Sequence, residues 1–351
     1  MKQLSLFNVL GLPSPEDALR ERIGNGKKIC IDLFTGCGGF STGAVAAGYE
    51  VILAVDACPK ALETHRRNHP RTVHLCAELP CADLPLPTDG TPFHLHGSPP
   101  CQKFSVVNRK GRSEGDKEEA GNLVEWYLEL AMSSRAASWS MEQVAAKEVL
   151  DMVERVRRKH PKRVAYGVFR FHTLGVPQTR RRLIAGSPSI IAKLQRLALE
   201  RRQRAIRDVI PRPRGTHIRG TCTGVKPTLR KNRQEGEPKF EYEKLGWDGM
   251  LRSLDQPAPT VVGRHALTWV TGDGKGSAHT VLHPHELAAL QTFPVGYRFP
   301  QKMYDAYLQI GNAIPPLVAQ LMLSGDDSDG NGARAPESPS LRRPPPALVF
   351  A

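Results

Sequence analysis

The feature that most limits what this chain can fold into lies near its start. Residues 28–34, Lys28-Ile29-Cys30-Ile31-Asp32-Leu33-Phe34, form an apolar run bounded by a turn. Thr35-Gly36-Cys37-Gly38-Gly39-Phe40-Ser41-Thr42-Gly43 follows at once. A continuous apolar run of this length reads as a strand covered on both faces, which is how parallel strands are placed. The glycines let backbone amides approach a ligand. The small-residue helix that continues through Ala47 supplies an N-terminus that favours negative charge. Strand, glycine loop and helix predict an open α/β sheet with its chemistry at the carboxyl edge. The glycines are not spaced as G-x-G-x-x-G, which argues against a nicotinamide oxidoreductase.

Later segments continue the alternation. A second strand over 49–55 ends in Asp56, twenty residues after Gly36, where an acid can bind ribose hydroxyls or simply face solvent. A helix over 59–69 and a strand over 72–76 lead to Glu78. A fourth strand, over 93–96, runs into Gly97-Ser98-Pro99-Pro100-Cys101-Gln102-Lys103-Phe104-Ser105. Two prolines hold that segment extended and set Cys101 at the sheet edge. A cysteine there is either a nucleophile or a small buried hydrophobe. Residues 106–122 predict a mobile loop whose Arg109, Lys110 and Arg112 either contact phosphate or face water. A helix over 122–132, a strand over 136–141 ending in Glu142-Gln143-Val144, a helix over 147–160 and a strand over 164–171 come next. Gln178-Thr179-Arg180-Arg181-Arg182 then precedes a strand over 183–185.

Charge decides what such a domain meets. The 351 residues carry 49 Lys+Arg against 35 Asp+Glu, a formal +14, which points to a polyanion and most simply to nucleic acid. Between residues 188 and 251 fifteen Lys/Arg stand against seven Asp/Glu with weak periodicity, predicting a small, irregular, basic lobe. No apolar run reaches 18 residues, so no membrane span is expected. Seven irregularly spaced cysteines do not form a disulfide framework, and Cys76 and Cys81 lack zinc spacing, so a reducing intracellular setting and no metal are expected. Residues 1–28 read as an arm without signal-peptide features, and 324–351 as a disordered tail.

Taken in order, these motifs resemble the DNA (cytosine-5)-methyltransferases from Ile29 to about Leu323. Asp32-Leu33-Phe34-Thr35-Gly36-Cys37-Gly38-Gly39-Phe40 is similar to the family's S-adenosylmethionine motif, and Pro99-Pro100-Cys101-Gln102 to its Pro-Cys-Gln motif. Glu142-Gln143-Val144 stands where the family has Glu-Asn-Val. Residues 178–182 resemble Gln-x-Arg-x-Arg, and Leu290-Gln291-Thr292-Phe293-Pro294 and Gly311-Asn312-Ala313-Ile314-Pro315-Pro316 resemble the closing motifs. The resemblance implies a Rossmann-like S-adenosylmethionine-dependent methyltransferase sheet with helices on both faces, plus the basic lobe for target recognition. It divides the chain into an arm (1–28), a catalytic and cofactor-binding domain (29–186), a target-recognition insertion (187–279), a returning segment (280–323) and a tail (324–351).

The implied activity is methyl transfer to C5 of cytosine in double-stranded DNA through a covalent Cys–C6 intermediate with base flipping. Cys101 is the implied nucleophile, with Glu142, Arg180 and Arg182 around the base. Phe34, the amides of Gly36, Cys37, Gly38 and Gly39, Asp56, Glu78, Pro99 and Asn312 would hold the cofactor. Gln102, Ser105, Arg109, Lys110, Arg112 and Gln178 would meet DNA. A soluble monomer of cytoplasm or nucleus is expected. Gln143, longer than the family's Asn, is expected to shift the catalytic loop and lower activity. The alternatives are a tRNA cytosine methyltransferase, whose Cys-Phe-Thr signature is absent, and a catalytically weak DNA-binding homologue.

Overall fold

A computed structural model describes residues 28–81, 84–100, 114–220, 251–263, 267–271 and 279–325, without the side chains of 114–122 and of 279. Cys101, Gln102, Ser105, Arg109, Lys110 and Arg112 lie outside the described residues, as do the arm and nearly all of the tail.

The main body is a sheet of seven described strands. In chain order these are β1 (Lys28–Leu33), β2 (Tyr49–Asp56), β3 (Val73–Cys76), β4 (Phe93–Gly97), β5 (Ser138–Gln143), β6 (Ala165–Arg170) and β7 (Arg181–Gly186). Their spatial order is β3-β2-β1-β4-β5-β7-β6. The first five run parallel, whereas β7 is antiparallel to both β5 and β6. Strand order reverses across β1 and β4, the place where open α/β sheets leave a crevice for ligand.

The apolar runs explain the layering. On one face Ile31, Leu33, Leu53 and Leu95 pack with Tyr127, Trp139, Val149 and Val153 under α3 (Glu114–Ser133) and α4 (Lys147–Lys159). On the other, Cys30, Val51 and Ile184 meet α1 (Gly39–Ala46), α5 (Pro188–Glu200) and α8 (Pro316–Leu323) through Phe40, Leu194, Val318 and Met322. The chain's end thus packs on its beginning. A Cβ on Gly39 would fall onto the carbonyl oxygen of Ile314, and one on Gly43 onto that of Pro316, so only glycine permits this approach.

Three expectations change. Helix α3 starts at Glu114, inside the segment expected to be loop; an acidic first turn suits a helix N-terminus. Helix α5, assigned to the insertion, packs into the main body through Ile190, Ile191 and Leu194. The basic lobe is also less irregular than expected. It carries an antiparallel sheet in the order β11-β10-β8-β9, from β8 (His217–Arg219), β9 (Leu251–Ser253), β10 (Thr268–Val270) and β11 (His279–Val281). Ile218, Trp269 and Leu282 bury this sheet against α6 (Pro284–Leu290) and α7 (Met303–Asn312). Helix α2 (Pro59–Asn68) completes the β2–β3 crossover. Among the described residues no helix is long and apolar enough to cross a membrane, and no group of His, Cys, Asp and Glu could hold a metal ion.

Candidate active site

Because β1, β2, β4 and β5 are parallel, their last residues (Leu33, Asp56, Gly97 and Gln143) share one edge of the sheet. The first turn beyond β1 is strained. Phe34 has φ 56, a region a bulky side chain rarely enters, and its ring meets Trp126 edge-on at 6.1 Å. Gly36 follows at φ 55, and the side where its Cβ would stand is open for 4 Å. Asp56 organises this loop. Its two carboxylate oxygens each accept one backbone N–H, from Gly36 at 2.8 Å and Cys58 at 2.8 Å. Burial raises its pKa. Each oxygen keeps a lone pair free to accept from a hydroxyl.

Two amides of the glycine loop are engaged within the protein. The amide of Gly36 is given to Asp56 and that of Gly38 to the carbonyl of Thr35 at 3.0 Å. Cys37 is buried, its thiol pushed up to about 12 by burial, and its carbonyl accepts the hydroxyl of Tyr297. Gly38, at φ 96, is enclosed by Tyr297, His65 and His69, and Gly39 by Ile314. An aromatic ring, an acid with spare lone pairs and an open glycine side fit an adenosyl group at Phe34, Gly36 and Asp56. Cys37, Gly38 and Gly39 pack against Tyr297, His65, His69 and Ile314 behind the loop. Glu78 and Asn312 are exposed, whereas Pro99 is buried. Asn312 Oδ1 lies against Gly263.

On the other side of the edge, Glu142 and Arg182 form an ion pair at 3.0 Å with side chains 8% and 15% exposed. Their strands are antiparallel neighbours, which brings the two side chains together. Glu142 Oε1 is buried and accepts no aligned hydrogen bond from the described residues. Gln143 is fully buried. Its Nε2 donates to the carbonyl of Pro99 at 3.1 Å, while its Oε1 accepts the amide of Val144 at 2.7 Å. The side chain folds back on its own strand end, and its amide reaches the carbonyl of Pro99.

Two residues expected at the substrate face inward. Gln178 is fully buried; its Nε2 donates to the carbonyl of Leu290 at 2.9 Å and to the Gln291 side chain, and its Oε1 accepts the amide of Val261 at 3.0 Å. Arg180 is 2% exposed and donates through Nη1 to the carbonyls of Val261 and Gly311, each at 3.0 Å. Both tie the β6–β7 connection to segments eighty or more residues later. Both side chains are buried within the described residues. Gln291, whose Nε2 donates to the carbonyls of Ile310 and Ala313 at 2.8 Å, completes this tie. The site also rests on residues that sequence reasoning did not single out. Tyr127 donates its hydroxyl to the carbonyls of Leu95 and Ser140 at 3.1 and 2.8 Å, and its ring covers Gly97. Its only sequence signal is the helical apolar spacing of α3.

A doubly wound sheet with a paired Glu and Arg beside its switch point defines an α/β protein with a candidate site at its carboxyl edge, and comparison with known proteins gives its class. The family described as C-5 cytosine-specific DNA methylase matches residues 29–324. The chain is 27% identical over 335 residues to the type II methyltransferase M1.HphI of Haemophilus parahaemolyticus, covering 83% of this chain and 84% of that one. It is 26% identical over 307 residues to the type II methyltransferase M.HgiDI of Herpetosiphon aurantiacus, covering 82% and 91%. The fold is similar to that of the Dnmt2 methyltransferase from S. pombe, with TM-score 0.56, 15% identity and coverage of 84% and 97%. The chain belongs to the C-5 cytosine-specific DNA methylase family. It is a DNA (cytosine-5) methyltransferase, and its family uses S-adenosylmethionine.

Proposed function

We propose that this enzyme methylates cytosine in double-stranded DNA by covalent catalysis at Cys101 on a base flipped out of the duplex. The observation that carries this reading is the buried Glu142–Arg182 pair beside the turn that leads into Cys101. A base inside a duplex is out of reach of a side chain at a sheet edge, so it must leave the stack. The Cys101 thiolate adds to C6, forming the S–C6 bond and moving the electron pair toward C5. Glu142 accepts from the exocyclic amine and passes a proton to N3 as the thiolate adds, opposing the charge that builds on the ring. Arg182 keeps Glu142 in place and donates to O2. Phe34, Gly36 and Asp56 would hold S-adenosylmethionine, which when bound supplies the electrophilic methyl group. Loss of the C5 proton to a base, with expulsion of the thiolate, restores the ring and frees the enzyme. The exposed Arg201, Arg202, Arg207 and Arg212 of the basic segment would take phosphates.

The test is transfer of labelled methyl groups from S-adenosylmethionine to duplex DNA and, in parallel, to tRNA. Label is expected in DNA only, and none with Cys101→Ala. Full activity in that variant would refute the nucleophile, and label in tRNA alone would refute the substrate.

A further inference from the structure

Strand β4 lies inside the sheet between β1 and β5, where apolar side chains are the rule. It carries His94 and His96 instead, 1% and 0% exposed. Two apart on a strand, they share a face. The facing strand presents Ser138 opposite His94 and Ser140 opposite His96. The contacts form one ladder. His94 Nδ1 meets Ser138 Oγ at 2.8 Å and its Nε2 meets Ser140 Oγ at 2.9 Å; His96 Nδ1 meets the same Ser140 Oγ at 2.9 Å and its Nε2 meets Ser98 Oγ at 3.0 Å. Phe40 of α1 seals it, stacked on His96 at 3.5 Å between centroids with 1° between planes. Burial holds both imidazoles well toward their neutral form. A neutral ring has one donor and one acceptor nitrogen, and Ser140 has a single proton between two rings. Ser140 can therefore donate to at most one of the two rings, so the tautomers of His94 and His96 are coupled through it and the five side chains act as a unit.

A satisfied polar network in a core does little better for stability than apolar residues of the same size. What this one adds is position. It ends at Ser98, the first residue past the strand and three before Cys101. Pro99 and Pro100 intervene, each with φ confined near −65°, so the place where Ser98 leaves the sheet is carried stiffly forward. The amide of Ser98 donates to the carbonyl of Leu33 at 3.2 Å, and Gln143 holds Pro99. We propose that His96, acting through the Ser98 hydroxyl, is a positioning residue that sets where Cys101 stands. The inference rests on the reading of Cys101 as nucleophile.

The test uses the full-length chain and duplex DNA with 5-fluorocytosine in place of cytosine throughout, which traps the covalent species because C5 then carries no removable proton. Adduct rate, kcat, both KM values and Tm are measured for the unaltered chain, Ser98→Ala, Ser98→Thr and His96→Gln. Ser98→Ala is expected to slow adduct formation and kcat by about tenfold or more, since displacements under 1 Å are costly in near-attack geometry. Its KM values should stay within about twofold and its Tm within about 2 °C, and Ser98→Thr should recover most of the rate. His96→Gln should match Ser98→Ala in rate per folded molecule. Adduct formation at the unaltered rate in Ser98→Ala, or a lowered Tm in either variant with kcat unchanged, would overturn the positioning role. Failure of the unaltered chain to form any adduct while still methylating ordinary DNA would instead overturn the nucleophile, and this inference with it.

Discussion

Glu142 and Arg182 show how a single contact separates stability from turnover. With Arg182 removed, a mostly buried carboxylate loses its partner. Breaking a buried pair this way costs about 3 kcal/mol, at the low end of the usual range because the site opens to solvent. Arg182→Ala should therefore show a lowered urea midpoint as well as lost methyl transfer. Glu142→Gln keeps the shape and removes the charge. Its urea midpoint should fall less than that of Arg182→Ala, because the amide oxygen still accepts from Arg182 although the counter-charge is gone, while kcat falls by about 10²- to 10⁴-fold, the range of a lost acid–base group. A Glu142→Gln enzyme with unchanged kcat would remove Glu142 from the mechanism. The neighbouring pair tells the opposite story. Gln178 and Arg180 belong to the motif that suggests substrate contact, yet their side chains are claimed by Val261, Leu290, Gln291 and Gly311. A polar residue reads as surface until the distant segment that covers it is known.

At the scale of elements, the α1–α8 contact holds the end of the chain against its beginning. Gly43→Ala would push a methyl group into the carbonyl of Pro316 and separate the helices, at about 3 kcal/mol, the upper range for overpacking. Gly48, also near α1, has φ 83 and open space where its Cβ would stand, so Gly48→Ala costs only the left-handed conformation, about 1 kcal/mol. Urea unfolding of the two variants should rank them in that order; equal losses would mean that backbone conformation, not packing, governs the contact. Strands β1, β2 and β4 were legible within a residue or so because each is an apolar run closed by a turn. The antiparallel run of β7 was not, because the pattern of a buried strand carries no information about direction. The small sheet escaped notice because its strands are three residues long. Such strands are too short to show an alternation.

For the whole molecule, pH sets a contest between buried groups. Burial holds His65 and His96 neutral, and lowers His69 to about 4 and His94 to about 3 from an ordinary 6.5. Below pH 6.5 the unfolded chain takes up these protons and the native chain does not, so each histidine removes stability as pH falls. Asp32, raised to about 7 by burial against hydrogen bonds from Ser41 and Thr35, works the other way. Its stability contribution is complete below about pH 4 and is lost as pH rises to 7. His172 is lowered by burial in the same way, and Asp56, raised by burial, sides with Asp32; five histidines against two acids predict a net loss on the order of a few kcal/mol between pH 7 and 5. Urea midpoints at pH 7.5, 6.5 and 5.5 should fall in that order, and more steeply in Asp32→Asn; a flat profile would mean that these rings are not held neutral. Charge sets the other whole-molecule property. With a formal +14 and exposed arginines along 201–212, DNA affinity should fall at least tenfold between about 50 and 200 mM salt, measured by fluorescence anisotropy.

The amino-acid sequence by itself determined the class of the sheet, through local hydrophobic runs and turn residues. The resemblance of its ordered motifs to one family singled out Glu142 and Arg182, which the structure brings together. Only the tertiary structure decided which of the matching polar residues are spent on tying distant segments of the chain together. It placed Asp56 on the loop amides, folded Gln143 back to Pro99, sank Gln178 and Arg180 beneath later segments, and linked His94 and His96 to Ser98. The reason is physical. Whether a polar side chain is used inside or outside depends on what covers it, and here the partner residues stand from twenty to more than a hundred positions away in the chain.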